Sequence, residues 1–262
     1  MKEEHGLSEE EALLKSTVRE FAEQVLEPAA GFHDQTGEFP WGNVRGLADL
    51  GMLGLTIDQK YGGGGGTMRQ LALVVEEIAR GCGSTSVIYI THLSLCTQYI
   101  NTFGTEDQKI LWLPHLVNAD KIGAMALTEP SAGSDAAALA TTALRSNTQY
   151  RLTGTKSFTT NGSEAEIFII LATRDRKLRA AGIEAFVVER GPGFEVNPQQ
   201  GKMGMRATST TELTFNNCAV PSQNILGVEG SGFKSLMEIL NTSRICIAAQ
   251  CVGLAQAAYD AA

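Results

Sequence analysis

The feature that most constrains this chain is a change of hydrophobic period near residue 120. Before it, apolar residues recur at helical spacing: Leu14, Val18, Phe21 and Val25, then Leu71, Val74, Val75 and Ile78. Each early segment has an opening signal. Ser8-x-x-Glu11, Thr67-x-x-Gln70 and Thr105-x-x-Gln108 all have the capping-box form, and Pro114 is expected to end the short helix begun by the third. The stretch TSVIYITHLSLCTQYI is apolar nearly all round, as suits a helix buried in a bundle, and its His92 reads as a hydrogen-bonded core histidine. From about Lys121 to Gly227 the texture is different. Short runs rich in β-branched and aromatic residues (IGAMALT, YRLTGTKSFTT, EIFIILATR, EAFVVER, TELTFNN) alternate with turn residues such as Asn147, Gly162, Gly182, Gly191-Pro192-Gly193 and Asn216-Asn217. The helical pattern returns at Gly232 and holds to the last residue, Ala262.

A helix-breaking period switch in the middle of a chain implies segregated α and β parts. The fold class expected is therefore α+β and multi-domain. It has an all-α bundle over 1–120, an antiparallel β sandwich or barrel over 121–230, and the first helix of a further helical domain over 231–262. That last helix is apolar, has no glycine cap or proline stop, and wants a neighbour, so the polypeptide reads as truncated.

The run Tyr61-Gly-Gly-Gly-Gly-Gly-Thr67 invites comparison with a phosphate loop, but its spacing does not fit. Gly62 to Gly66 contain no i, i+5 glycine pair, and no Gly-Lys-Ser/Thr follows. It reads as a flexible connection running into Thr67 as a helix N-cap. Composition narrows the field further. A net charge of −8 argues against a nucleic-acid footprint, and no apolar run approaches the length of a membrane span. The opening MKEEHGLSEEE lacks the apolar core of a secretory signal. Cys82, Cys96, Cys218, Cys246 and Cys251 are odd in number with no C-x-x-C pair, so they read as thiols in a reducing compartment. His5, His33, His92 and His115 are scattered without metal-ligand spacing, so a metal enzyme is not expected.

Three stretches carry chemistry: Ala126-Leu-Thr-Glu-Pro-Ser-Ala-Gly-Ser-Asp135, Lys156-Ser-Phe-Thr-Thr-Asn-Gly162, and Lys202-Met-Gly-Met-Arg-Ala-Thr-Ser-Thr-Thr-Glu-Leu213 with Val220-Pro221 and Asn224-Ile-Leu-Gly227 after it. Alone, each has a structural reading: a small-residue turn, a hairpin turn at TTNG, a core aromatic at Phe158. In this order, between a helical half and a helical tail of the form GFK…RICIAAQ…GLAQAA, the chain resembles the acyl-CoA dehydrogenase family over almost its whole length.

The resemblance implies FAD as cofactor and an acyl-CoA as substrate. It implies electrons leaving to an electron-transfer flavoprotein, in fatty-acid or amino-acid breakdown. The full-length parent would be a homotetramer or dimer, located in a bacterial cytoplasm or a mitochondrial matrix. It assigns cofactor contacts to Met125, Leu127, Thr128, Gly133, Ser134, Phe158, Thr159 and Thr160. Leu127 and Phe158 would stand against the flavin ring, and Thr128 and Thr160 would offer hydroxyls to it. Ser131, Ala132 and Gly133 would allow close approach, and Ser134 would also touch the pantetheine arm. Phe158 stands where many members carry Trp. Asn241, Thr242, Ser243 and Arg244 align with an acyl-CoA-contacting segment, Arg244 as a ligand or as a helix anchor. The run Arg174, Arg176, Lys177 and Arg179 is either a CoA-phosphate contact or a solvated loop.

The reaction implied removes an α-proton to a carboxylate while the β-hydrogen leaves as hydride. A minority of the family places that base just before the tail arginine, and here Ser243 occupies the position. The base is therefore expected beyond Ala262, with part of the FAD site. The 262 residues alone are expected to bind FAD weakly or not at all and to be inactive. An acyl-CoA oxidase or flavin oxygenase of the same superfamily is the alternative chemistry, and a non-catalytic acyl-CoA- or protein-binding module the alternative class.

Overall fold

A computed structural model describes residues 6–262; Met1–His5, which include the start of the acidic N-terminus and one of the histidines, lie outside the described residues. Helices α1 (Glu9–Phe21), α4 (Met68–Gly81) and α7 (Glu106–Val117) begin at Ser8, Thr67 and Thr105, and all three capping boxes form in both directions. Each satisfies two otherwise orphaned backbone donors, a contribution of about 1 kcal/mol per cap. A π-helical turn, Ala22–Leu26, carries α1 into α2 (Glu27–Thr36), and α3 (Trp41–Asp49) follows. The apolar segment becomes α5 (Gly83–Ile90), a π-helical run over Thr91–Thr97, and α6 (Gln98–Phe103), most of it buried.

Two local expectations fail. Proline does not end α7, which continues through Pro114 to Val117. Pro114 offers no N–H to the carbonyl of Ile110, but Ile110 is exposed, so water can serve that carbonyl. The glycine run is not a loose connection either. Consecutive amides of Gly63, Gly64, Gly65 and Gly66 donate to Asp58, Gly54, Ile57 and Leu55 carbonyls at 3.2, 2.9, 2.8 and 2.7 Å. Only Gly62 and Gly65 have positive φ. A Cβ on Gly63 would lie 2.1 Å from the Ile57 carbonyl oxygen, so the chain's own backbone fills the space.

The strands are β1 (Gly123–Ala126), β2 (Thr142–Ser146), β3 (Gln149–Thr160), β4 (Ile167–Thr173), β5 (Ile183–Glu189), β6 (Phe194–Pro198), β7 (Thr210–Pro221) and β8 (Ile225–Leu226). They form one sheet in the order β6-β7-β3-β2-β4-β5-β8, with β1 beside β4. The β2–β4 link is a single pair, Thr142 with Thr173, so the sheet folds there into two leaves. The Phe168 and Phe194 rings meet across the leaves at 4.8 Å, and those of Tyr150 and Phe186 at 4.9 Å. This is the expected sandwich, with a correction: the β1–β4 and β2–β4 pairings are parallel. The TTNG stretch is not a hairpin turn, because β3 and β4 lie in different leaves; Asn161, at φ 64°, carries the chain between them. Asn216 and Asn217 sit inside β7 rather than in a turn, with Asn217 at φ 54°.

Helix α8 (Gly232–Asp260) does find a neighbour on one face. Leu236, Ile239, Ser243, Cys246, Gln250 and Gly253 are buried along it. A Cβ at Gly253 would lie 2.1 Å from the Glu76 carbonyl of α4, Gln250 donates to Ser86 at 2.7 Å, and Arg80 pairs with Asp260 at 2.8 Å. Its opposite side leaves Ile245, Ile247, Val252 and Tyr259 exposed.

Candidate functional site

The site begins with an irregularity in β3. Lys156 pairs with Leu213 of β7 and Thr159 with Thr211, so β3 spends one more residue than its partner over this step. That is a β-bulge. Its cost falls on Phe158, which adopts φ 57°, a conformation rare for a bulky aromatic. The result is a reversal of direction within a few residues. Lys156 and Thr159 point inward and are buried, while the Phe158 ring is 66% exposed.

Beside this bulge lies the segment leaving β1. The Ser157 amide donates to the Thr128 carbonyl at 2.8 Å. The Lys156 ammonium donates to the Leu127 carbonyl at 3.0 Å and to Glu129 Oε1 at 2.7 Å. Glu129 also accepts the amides of Ala140 and Thr141, at 2.6 and 3.0 Å. Reciprocal bonds between Glu129 and Ala132, at 3.0 and 3.1 Å, close a tight turn that sends Ser131, Gly133 and Ser134 to the surface. Asn161 completes the join, donating to the carbonyls of Ile88 and Gly123 at 3.1 and 3.3 Å.

Two sequence stretches separated by some thirty residues are thus one surface. Met125 and Leu127 are half-buried and pack on the core; Thr128 and Thr160 are half-exposed; Phe158 stands clear. The Thr159 hydroxyl is buried without a hydrogen-bond partner among the described residues. A Cβ on Gly133 would meet nothing within 4 Å.

The basic run folds against the same loop. Arg179 pairs with Asp135 at 2.6 Å, and Arg176 Nε donates to the Ala140 carbonyl at 3.0 Å. Arg174 is turned inward to Glu184 and Glu229 at 2.9 and 3.1 Å, whereas Lys177 is exposed. The tail residues Asn241, Thr242, Ser243 and Arg244 make no hydrogen bond to the β1–β3 cluster. Arg244 donates to Asn241 at 2.5 Å on the exposed side of α8, Thr242 donates to the Ile239 carbonyl at 2.9 Å, and Ser243 is buried 3.1 Å from Ser94.

His92 is a bolt between bundle and sheet. One ring nitrogen lies 2.9 Å from the Leu116 carbonyl, which needs a donor there, so the other accepts the Gly123 amide at 3.0 Å. Burial pulls its pKa down to about 4, which keeps the ring neutral. The core-histidine reading holds.

The residues missed from sequence are Glu129, Lys156 and Asn161. For Lys156 a signal existed: Tyr150, Leu152, Gly154 and Lys156 share one parity along β3, so the lysine falls on the inward face and demands a buried acid. Burial drives Lys156 down to about 8 against the pull of Glu129. Burial acts to raise Glu129, but Lys156 and the Ala140 and Thr141 contacts outweigh it and hold the carboxyl below its ordinary range.

No group of His, Cys, Asp and Glu suited to a metal ion exists among the described residues, and no helix among them is long and apolar enough to cross a membrane. The described cysteines are free, all buried except Cys251.

Residues 8–120 match the N-terminal domain of acyl-CoA dehydrogenases and residues 124–218 the middle domain. The chain is 43% identical over 258 residues to the short-chain specific acyl-CoA dehydrogenase of Clostridium acetobutylicum, covering 98% of this chain and 68% of that protein. Among solved structures it resembles butyryl-CoA dehydrogenase from Megasphaera elsdenii (TM-score 0.92, 38% identity, 96% of this chain and 67% of that one). It also resembles a chain in the structure of the electron transferring flavoprotein of Acidaminococcus fermentans (TM-score 0.94, 38% identity, 97% and 67%). With this level of identity running through both domains and the start of the tail helix, the chain belongs to the acyl-CoA dehydrogenase family.

Proposed function

We propose that these residues form the flavin-facing and thioester-facing wall of an FAD-dependent acyl-CoA dehydrogenase acting on short acyl chains. The observation that carries the reading is Phe158, an aromatic ring held in solvent by a strained backbone at the seam of the two motifs. A flat cofactor with an apolar face and a hydrogen-bonding edge suits that ring, with Leu127 and Met125 beside it and hydroxyls at Thr128 and Thr160. The open space over Gly133 fits the same group.

When bound, FAD supplies the acceptor for the β-hydride. The chain's own residues bind and orient. Phe158 and Leu127 hold the ring plane, Thr128 and Thr160 offer donors to its polar edge, and Gly133 and Ser134 leave the loop open to the pantetheine arm. Lys177, Arg176 and Arg179 set positive charge beside that loop, where CoA phosphates would pass. Glu129 is not the base that takes the α-proton, since it is buried and committed to Lys156 and two amides. Ser243, at the position where some relatives carry the base, is a hydroxyl bonded to Ser94. Neither residue is thus placed as the base; the chain spans about two thirds of the length of the relatives it matches.

The short-chain preference follows the names of the Clostridium and Megasphaera relatives, and an electron-transfer flavoprotein as acceptor follows the Acidaminococcus likeness. A homotetramer or dimer, in the bacterial cytoplasm or mitochondrial matrix, completes the reading. The test is anaerobic titration of protein purified from its complete reading frame with butyryl-CoA. A yellow protein that bleaches is expected. A colourless protein, or flavin that does not respond, contradicts the proposal, and rapid reoxidation by oxygen would point to an oxidase.

A further inference from the structure

We infer that Lys156 and Glu129 are positioning residues, a buried clip that fixes the Leu127–Thr128 peptide against the β3 bulge and so sets the gap that receives the flavin ring; the second half of this inference rests on the function proposed above. Lys156 has no exposed surface and Glu129 almost none, so neither can touch a substrate. Their bonds converge on three chain segments. The ammonium holds the Leu127 carbonyl and the Glu129 carboxylate, and that carboxylate holds the amides of Ala140 and Thr141. The Thr128 carbonyl is held from the next residue of the bulge, by the Ser157 amide. Every peptide group flanking Leu127 and Thr128 on the carbonyl side is thus tied to the strand that carries Phe158 and Thr160.

Stability alone gives no reason for such a pair. An apolar replacement of both partners is often neutral or stabilising, whereas loss of one partner strands a buried charge. What the pair adds is direction. The ammonium reaches the Leu127 carbonyl only from its inward place on β3, and the carboxylate keeps it there. A loop of small residues has many alternative paths, and this contact selects one.

The experiment separates geometry from stability. Lys156→Met alone should unfold at markedly lower temperature. The double variant Lys156→Met with Glu129→Leu should recover part of that loss, since it strands no charge but leaves the Ala140 and Thr141 amides without their acceptor. It should nevertheless exchange the Ser157 amide faster, and bind FAD more weakly, by about tenfold each. Wild-type protection of the Ser157 amide in the double variant, or unchanged FAD affinity, would overturn the inference. Should the double variant not fold, Glu129→Gln carries the same two readouts with a smaller shift in the same direction, and no shift in either would overturn it. If the wild-type protein from its complete reading frame binds no FAD, the proposed function fails. The clip is then decided by the Ser157 amide alone.

Discussion

Two loops in this molecule are rich in small residues, and they are small for opposite reasons. At Gly63 and Gly66 the space a side chain would need is already taken by the chain's own backbone, the Ile57 and Leu55 carbonyls, and Gly62 and Gly65 have positive φ. In Ser131–Ser134 the space before Gly133 is empty. The first loop is small so that the fold can close, and the second is small in front of nothing the chain itself provides. Glycine content therefore does not mark a ligand site. What a Cβ would meet separates the two: the longer glycine run is held by its own backbone, and the shorter loop leaves room in front of Gly133.

The contrast extends to polar groups. Both nitrogens of His92 are occupied by the chain, whereas the buried Thr159 hydroxyl has no partner among the described residues.

The sharpest way to break the comparison is Gly63→Ala. Its Cβ would press on backbone that cannot step aside, so we expect a loss of about 3 kcal/mol, read as a lower urea midpoint, without a specific effect on flavin binding. Next is the pH dependence set by His92. Its folded pKa lies below its ordinary value, so the unfolded chain binds the extra proton. Stability is then complete above pH 6.5 and declines as pH falls towards about 4. The full loss is about 3 kcal/mol. Denaturant titrations at stepped pH should show this slope, and His92→Gln should flatten it. The smallest stability effect belongs to Gly133→Ala, within about 0.5 kcal/mol of wild type. The same change should weaken FAD or acyl-CoA binding. If Gly133→Ala destabilises as much as Gly63→Ala, the two loops are not different in kind.

The sequence carried this distinction only in part. Local signals were legible because their partners are three or four residues away: all three capping boxes form as read, and the period switch near residue 120 marks where helices give way to strands. The motifs around Leu127 and Phe158 were also legible, as residue types. What joins them was not, because it depends on long-range geometry. The parallel β1–β4 pairing, the fold of the sheet at Thr142–Thr173 and the convergence of Glu129 with Lys156 are contacts between distant segments. Pro114 misled for the converse reason. The proline rule is local, and exposure of the preceding turn relieved it. The tail residues Asn241 and Arg244 bond to each other on the exposed side of α8, a pairing three residues apart that the motif alone did not reveal.

A flavin wall at the seam between the β1 exit and the β3 bulge is tested most directly by a crystal structure of the FAD-loaded protein. The tricyclic ring is expected in van der Waals contact with Phe158 and Leu127, with its polar edge turned to Thr128 and Thr160. A ring bound away from that seam, with Phe158 still in solvent, would contradict it.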